Sequence, residues 1–78
     1  MADLKATLLD IAKAIVESPD AVEVTVEENE NSISLTLKVA PDDVGMVIGR
    51  HGKIANAIRT VMRAAAVSTG KRVNVDIR

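Results

Sequence analysis

The sequence has no cysteine, no phenylalanine, tyrosine or tryptophan, and a single histidine. Without cysteine, the chain has no disulfide framework, no thiol nucleophile and no cysteine-based zinc site, and it suits a reducing compartment. One histidine also excludes a metal site built from several histidines. We therefore expect no metal and no cofactor. The missing aromatic rings leave the core to aliphatic side chains and methionine.

Long apolar runs are absent as well. No segment approaches the ~18 consecutive apolar residues that a membrane-spanning helix needs. The first ten residues also lack the basic start and the apolar run of a secretory signal peptide. We expect a cytoplasmic protein that does not enter a membrane.

The chain does have a high density of aliphatic residues. Hydrophobic residues make up 47% of its 78 positions, which is too many for a disordered chain. Domains of roughly 50 to 200 residues are usual, and no linker, repeat or low-complexity stretch divides this chain. Residues 1–78 are therefore predicted to form one domain.

Charge is divided unevenly along the chain, although the formal net charge is only −1. Residues 1–45 contain ten acids and three lysines, a net charge of −7, whereas residues 46–78 contain seven bases and one acid, a net charge of +6. A local basic surface matters more for phosphate binding than the sum over the chain, because exposed charges more than about 8 to 10 Å away are screened. The second half thus favours an anionic partner, although small domains also acquire lopsided charge by chance.

The first half of the chain shows the pattern of a helix followed by a hairpin. Apolar residues recur at helical spacing from about residue 3 to 17, and Asp3 is placed to cap the first turn. Two runs of alternating apolar and polar residues follow at 22–27 and 33–39, separated by the polar residues 28–31. This pattern predicts an antiparallel hairpin with one buried face.

The second half predicts two more helices and a third strand. Pro41, followed by two aspartates, begins a short helix that ends before Gly49, and a longer helix runs from Gly52 to about Ser68. Alternation resumes at 72–77. A strand that returns after a helical crossover lies parallel to the strand before it. We therefore predict an α+β fold of order αββααβ, in which three helices pack on one face of a three-stranded mixed sheet of order 1-2-3.

Between these two helices, Gly49 and Gly52 bracket Arg50 and His51, and Lys53 follows. Glycine permits positive φ and lets another backbone come close. The start of the next helix offers free N–H groups and a partial positive charge to an anion. Arg50, His51 and Lys53 add donors or charge for phosphates. The stretch predicts a clamp on a nucleic-acid backbone, and the simpler alternative is a plain turn between two helices.

Apolar residues flank the predicted clamp. Val47, Ile48 and Ile54 are predicted to pack against base faces, although a place in the core explains Ile54 equally well. Arg59 and Arg63 lie four residues apart on the helix that follows Gly52. A solvated helix face is the favoured interpretation of this pair. Because aromatic platforms worth about 1 to 3 kcal/mol per base are absent, one copy should bind weakly.

The run GMVIGRHGKI at residues 45–54, set between two helices of an αββααβ chain, resembles a K-homology (KH) domain of type II topology. When residues 54–61 after the loop are included, the chain more specifically resembles the KhpA family of small single-domain bacterial RNA-binding proteins. This resemblance covers essentially the whole chain. It implies a groove for about four single-stranded nucleotides whose backbone is held by the GxxG loop. It also implies pairing, as a homodimer or as a heterodimer with a second KH protein.

These features together predict a protein that binds single-stranded RNA and acts as an RNA chaperone or post-transcriptional regulator. Single-stranded DNA is not distinguished, because no residue is committed to the 2′-OH. The alternative is a KH-fold module for protein interaction or dimerisation, with weak or no affinity for nucleic acid. Catalysis is not expected, because the four serines are not accompanied by a second histidine.

Overall fold

The computed structural model describes residues 3–78, which contain three α-helices and three β-strands. In chain order the elements are α1 Leu4–Ile15, β1 Glu23–Glu28, β2 Ser32–Lys38, α2 Val44–Ile48, α3 Lys53–Ala65 and β3 Arg72–Ile77. Single turns of 3₁₀ helix lie at Pro19–Ala21, Pro41–Asp43, Arg50–Gly52 and Val67–Thr69. The predicted order αββααβ is confirmed.

Helix α1 is shorter than its apolar pattern predicted. Asp3 caps its first turn as expected, since the Asp3 Oδ1 accepts a hydrogen bond from the Ala6 N–H (3.2 Å). The helix ends at Ile15 because Val16 has an extended backbone (φ −84°, ψ 160°). Val16 is nevertheless buried, so the apolar pattern extends beyond the last residue of the helix.

Helix α3 also ends early, at Ala65 and not near Ser68. The next residue, Ala66, is buried in the core and starts a 3₁₀ turn. That turn is closed by Gly70 in the left-handed conformation (φ 69°, ψ 7°), as expected for a glycine after a helix. Core contacts thus continue past the last helical residue here too.

The strands form one mixed sheet in the order β1-β2-β3. β1 pairs antiparallel with β2, with Val24 opposite Leu37, and β2 pairs parallel with β3, with Leu35 opposite Val75. α1 contacts β1, and α3 contacts β3. The predicted strand order and the placement of the helices on one face are confirmed. All six elements contribute to one apolar core, whose fully buried larger members are Leu8, Leu35, Leu37, Val47 and Met62.

A buried carboxylate joins α1 to the start of α2. Asp43 is only 2% exposed, and its two carboxylate oxygens accept hydrogen bonds from the N–H groups of Ser18 (3.1 Å) and Glu17 (3.4 Å). The sequence suggested that this aspartate serves the first turn of its own helix, but its side chain makes no cap hydrogen bond there. It instead satisfies N–H groups of the segment that follows α1.

Within residues 3–78, no helix is both long and apolar enough to cross a membrane.

Candidate nucleic-acid interface

The loop at residues 49–52 has an unusual backbone. Helix α2 ends with the Gly49 N–H donating to the Gly45 carbonyl (2.9 Å). Positive φ angles then occur at Gly49 (φ 74°, ψ 174°), His51 (φ 58°, ψ 23°) and Gly52 (φ 75°, ψ 14°). Three positive φ angles in four residues reverse the chain within one 3₁₀ turn, so that α3 begins immediately at Lys53.

The two glycines of the 49–52 loop are needed for different reasons. A Cβ on Gly49 would lie 2.7 Å from the Ile54 Cγ1, which is closer than real Cβ contacts come. Its φ and ψ also fall in a region that is essentially restricted to glycine. At Gly52 the nearest atom to such a Cβ is the Asn56 Nδ2, 3.9 Å away. Backbone conformation alone therefore favours glycine at position 52.

His51 is the only non-glycine residue with positive φ in the described part of the chain. A side chain in the left-handed region costs roughly 1 to 2 kcal/mol, although histidine tolerates it better than most residues. Such strain persists only where the surrounding structure imposes it, and it is frequent at ligand-binding sites. The conformation of His51 therefore marks this loop as a candidate site.

The three predicted phosphate ligands all lie at the surface. Arg50, His51 and Lys53 are exposed. The ion pairs found within residues 3–78 are Lys71 with Glu28 and Arg78 with Asp76, and neither involves the loop. The charges of Arg50 and Lys53 are thus available to a ligand at the start of α3.

The flanking apolar residues are placed differently from one another. Val47 is 0% exposed and belongs to the core, so its predicted packing against a base does not fit this structure. Its role is to anchor α2 beneath the loop. Ile48 and Ile54 are 36% and 37% exposed, respectively. Both retain surface that a ligand can contact, while Ile54 also packs against Gly49.

The two edges of the sheet differ in the charges that they carry. β1 and β3 are the opposite edges of the sheet. β1 contains Glu23, Glu27 and Glu28, whereas β3 begins with the exposed Arg72 and is followed by Arg78, which pairs with Asp76 of the strand. α3, which contacts β3, contributes further positive charge. Together with the exposed Arg50 and Lys53, these residues make the part of the fold that follows α2 the more basic one.

The sequence model of the family described as "KhpA/KhpB, KH domain" matches residues 5–77. The chain belongs to this family of KH domains. The resemblance found in the run GMVIGRHGKI is thereby confirmed.

Curated relatives of this KH domain are close to it along most of the chain. The RNA-binding protein KhpA of Clostridium acetobutylicum is 55% identical over 74 residues, which cover 95% of this chain and 99% of that protein. The RNA-binding protein KhpA of Caldanaerobacter subterraneus is 57% identical over 67 residues, which cover 86% of this chain and 89% of that protein. Their names describe binding proteins and not enzymes.

Solved structures share the fold of this chain. Era from Aquifex aeolicus aligns with 95% of this chain at a TM-score of 0.70 and 16% identity, and the chain spans 29% of that longer protein. Era in complex with a segment of 16S ribosomal RNA aligns with a TM-score of 0.63, also at 16% identity. At such low identity, the likeness concerns the fold alone.

Sequence reasoning missed one residue of this KH domain. Arg59 is half-buried, and its Nε donates to the Val75 carbonyl (3.3 Å), while its Nη1 donates to the Asn56 Oδ1 (3.3 Å). The favoured interpretation as part of a solvated face is therefore wrong for Arg59, whereas Arg63 is exposed as expected. Arg59 directly follows the buried Ile58 in sequence, but the pattern of α3 alone does not reveal which strand lies beside it.

Proposed function

We propose that this KH domain binds single-stranded RNA and holds its backbone at the 49–52 loop. The observation that carries the proposal is the loop itself, where two positive-φ glycines and a strained His51 present exposed donors at the start of α3. The relatives called RNA-binding protein KhpA support RNA as the ligand. Binding of this kind suits an RNA chaperone or post-transcriptional regulator that acts in the cytoplasm.

Each part of the loop has a physical task in this proposal. Gly49 and Gly52 keep side-chain bulk away from the path of the sugar-phosphate backbone. Arg50 and Lys53 neutralise phosphates, and the free N–H groups of the first turn of α3 add partial positive charge. Ile48 and Ile54 offer half-exposed aliphatic surface to the bases. Val47 contributes only support, because it is buried.

The proposal is tested by fluorescence anisotropy with a short labelled single-stranded RNA. Replacing Arg50→Asp and His51→Asp together should weaken binding by about tenfold or more, because charge-assisted hydrogen bonds are lost and repulsion is gained. Circular dichroism and the melting temperature should change little, since both side chains are exposed. Unchanged RNA affinity in a folded double variant would show that the loop is not the clamp.

A matched control is available at the start of α1. Lys5→Asp with Ala6→Asp produces the same change in net charge, at two exposed positions. Acidic residues are tolerated in the first turn of a helix. Lys5 lies ten residues, about 15 Å along α1, from Ile15, which lines the same cleft as Ile54. The control should bind RNA nearly as well as the unmodified protein, and an equal loss in both variants would indicate a general effect of charge.

A second candidate is a pairing module, and a specific surface favours it. An apolar cleft lies between α1 and α3, where Ile54 and Val61 are 37% and 47% exposed. Its lining is formed by Ile11, Ile15, Lys53, Ile54, Ala57, Ile58 and Val61. We infer that a second copy of the chain covers this cleft. Lys53 and Ile54 line this cleft and also belong to the proposed RNA site, so pairing here is an alternative to RNA contact by those two residues.

Sedimentation at high micromolar concentration tests the pairing. The unmodified protein should sediment as a dimer, and Val61→Lys should sediment as a monomer because a charge is buried at the contact. Val67→Lys is the control, since Val67 is apolar, 76% exposed and outside the cleft. A monomer at every concentration would exclude the homodimer. A stable dimer without RNA affinity would favour the pairing module over the RNA-binding protein.

A further inference from the structure

β1 is an edge strand, and half of its main-chain groups face away from the sheet. The Asn29 N–H donates to the Ser32 carbonyl (2.9 Å), and this pair continues the antiparallel register of β1 with β2. Because alternate residues of an antiparallel strand bond to the same neighbour, the odd-numbered residues of β1 bond to β2. Val24 and Val26 therefore direct their N–H and C=O groups outward. Such an edge is a template for a further strand.

Two depressions lie along this edge, on the side of the sheet that α1 covers. One is lined by Val26 together with Leu4 and Ile33, and Val26 is 38% exposed. The other is lined by Val24 together with Leu9. Val24 and Val26 are two residues apart, about 7 Å along the strand, which is the spacing of side chains on one face of any strand. A strand placed beside β1 thus directs alternate side chains at these two depressions.

The two faces of β1 differ in charge. On the face away from α1, Glu23 and Glu27 are exposed, and neither forms an ion pair within residues 3–78. Across the register on β2, Glu23 faces Lys38 but Glu27 faces Ser34, so the negative charge is least balanced at Glu27. On the side of α1, the depressions are bordered by charges of both signs, from Asp3, Lys5, Lys13 and Glu28. An added strand therefore meets negative charge on one face and apolar surface without a favoured sign on the other.

We propose that an extended segment of another protein, with basic side chains at alternate positions, pairs with the outer edge of β1. Its basic residues lie beside Glu23 and Glu27, and its intervening apolar residues fill the two depressions. Main-chain hydrogen bonds supply affinity in this mode of binding, and alternate side chains supply specificity. Neighbouring side chains of opposite charge on adjacent strands add to the stability. The acidic face repels phosphates, so this surface is separate from the proposed RNA site.

A second copy of the chain is a poor occupant of this edge. Its β1 offers glutamates where the exposed face of the edge requires basic side chains, and like charges on adjacent strands are destabilising. Its β3 is the other edge strand, but there the Val75 carbonyl already accepts a hydrogen bond from the Arg59 Nε. The occupant is therefore a different polypeptide that alternates apolar and basic residues.

The first test uses a labelled synthetic peptide of about eight residues that alternates valine and lysine. Fluorescence anisotropy should show tighter binding of this peptide than of one in which the same valines and lysines form two blocks. Methylation of alternate main-chain nitrogens then tests the pairing itself. Methyl groups on the valine nitrogens and methyl groups on the lysine nitrogens block opposite edges of the peptide, because successive N–H groups point to opposite sides. Only one of these two methylated peptides should lose binding.

The second test places the contact on β1. Glu23→Lys with Glu27→Lys should weaken binding of the valine-lysine peptide by about tenfold and should strengthen binding of a valine-glutamate peptide. Glu17→Lys with Asp20→Lys is the matched control, because it changes the net charge equally at two exposed positions outside β1 and both depressions. It should alter neither affinity by much.

A third variant acts on the main chain of the protein. Val26→Pro removes one outward N–H, and proline is tolerated in an edge strand where the N–H faces solvent. It should weaken binding of the valine-lysine peptide, and circular dichroism shows that the sheet of each variant is intact.

The outcomes decide the proposal without reference to RNA. Binding that needs alternation, that is lost with only one methylated peptide and that changes its charge preference in the β1 double variant supports it. Absence of peptide binding, equal behaviour of the two methylated peptides, or equal effects of the two double variants overturns it. The glutamates of β1 then serve only to protect the edge from pairing with other chains, and the proposed RNA site is unaffected.

Discussion

Ile54 packs against the backbone of Gly49 so closely that a Cβ on Gly49 would lie 2.7 Å from the Ile54 Cγ1. This contact joins the end of α2 to the first turn of α3, and it holds the 49–52 loop between them. The residue that limits the size of position 49 also lines the cleft between α1 and α3. Loop geometry and helix packing are therefore coupled through Ile54.

The contact predicts unequal costs at the two glycines. Gly49→Ala should destabilise the fold by about 2 to 4 kcal/mol, from the glycine-only backbone and the clash together. Gly52→Ala should cost only about 1 to 2 kcal/mol, because only its left-handed backbone is strained. Urea unfolding measures both. Equal losses would show that the Ile54 contact does not matter, whereas partial rescue of Gly49→Ala by Ile54→Ala would confirm it.

Relief of strain at His51 gives a second prediction. His51→Gly should raise the free energy of unfolding by about 0.5 to 1 kcal/mol, because glycine adopts positive φ without a steric cost. RNA affinity should fall at the same time, since a donor side chain is removed. Arg50→Gly is the matched control, because Arg50 does not have positive φ. That control should lose stability, and a gain in it would contradict the explanation by strain.

The buried carboxylate of Asp43 predicts a large effect far from any ligand. Asp43→Ala should lower the free energy of unfolding by about 2 to 3 kcal/mol, because the N–H groups of Glu17 and Ser18 lose their acceptors. Its neighbour Asp42 is exposed, and Asp42→Ala should change stability by less than about 0.5 kcal/mol. Chemical denaturation of the two variants measures their free energies of unfolding. Similar losses in both variants would refute the role of the buried hydrogen bonds.

Salt dependence tests whether the loop contacts phosphates. The logarithm of the RNA association constant should fall linearly with the logarithm of the salt concentration, by about 0.7 for each phosphate contacted in a single strand. Arg50→Ala should therefore reduce the slope by about 0.7. Lys38→Ala removes the same charge from an exposed position at the end of β2, outside the loop, and should leave the slope unchanged. Binding that ignores salt would argue against a phosphate clamp.

Much of the fold follows from local patterns in the sequence. Alternating residues around Val24, Leu35 and Val75 give the strands and their buried faces, because side chains in a strand point to opposite sides in turn. The handedness of crossover connections adds the parallel pairing of β3 with β2. The C-terminal ends of α1 and α3 are predicted less accurately, because apolar residues that follow each helix still enter the core.

The candidate site was predictable only in part. Gly49 and Gly52 stand out in the sequence, because a plain turn between two helices does not require two glycines around a pair of donor side chains. Val47 was assigned to the site for its nearness in sequence, but the structure buries it. Arg59 was assigned to solvent, although it bonds to β3. Proximity along the chain and helical periodicity do not reveal which neighbouring element a side chain meets.

Residue type and spacing are enough to predict the order of the elements, the charge asymmetry and the place of the GxxG loop. These depend on residue type and spacing within about a dozen residues, where steric preference and amphipathic period decide. Only the packing of the elements brings Ile54 against Gly49, Asp43 to the segment that follows α1, and Arg59 to the edge of β3. Each of these contacts depends on the distance and orientation between two packed elements, which the spacing of residues along the chain does not encode.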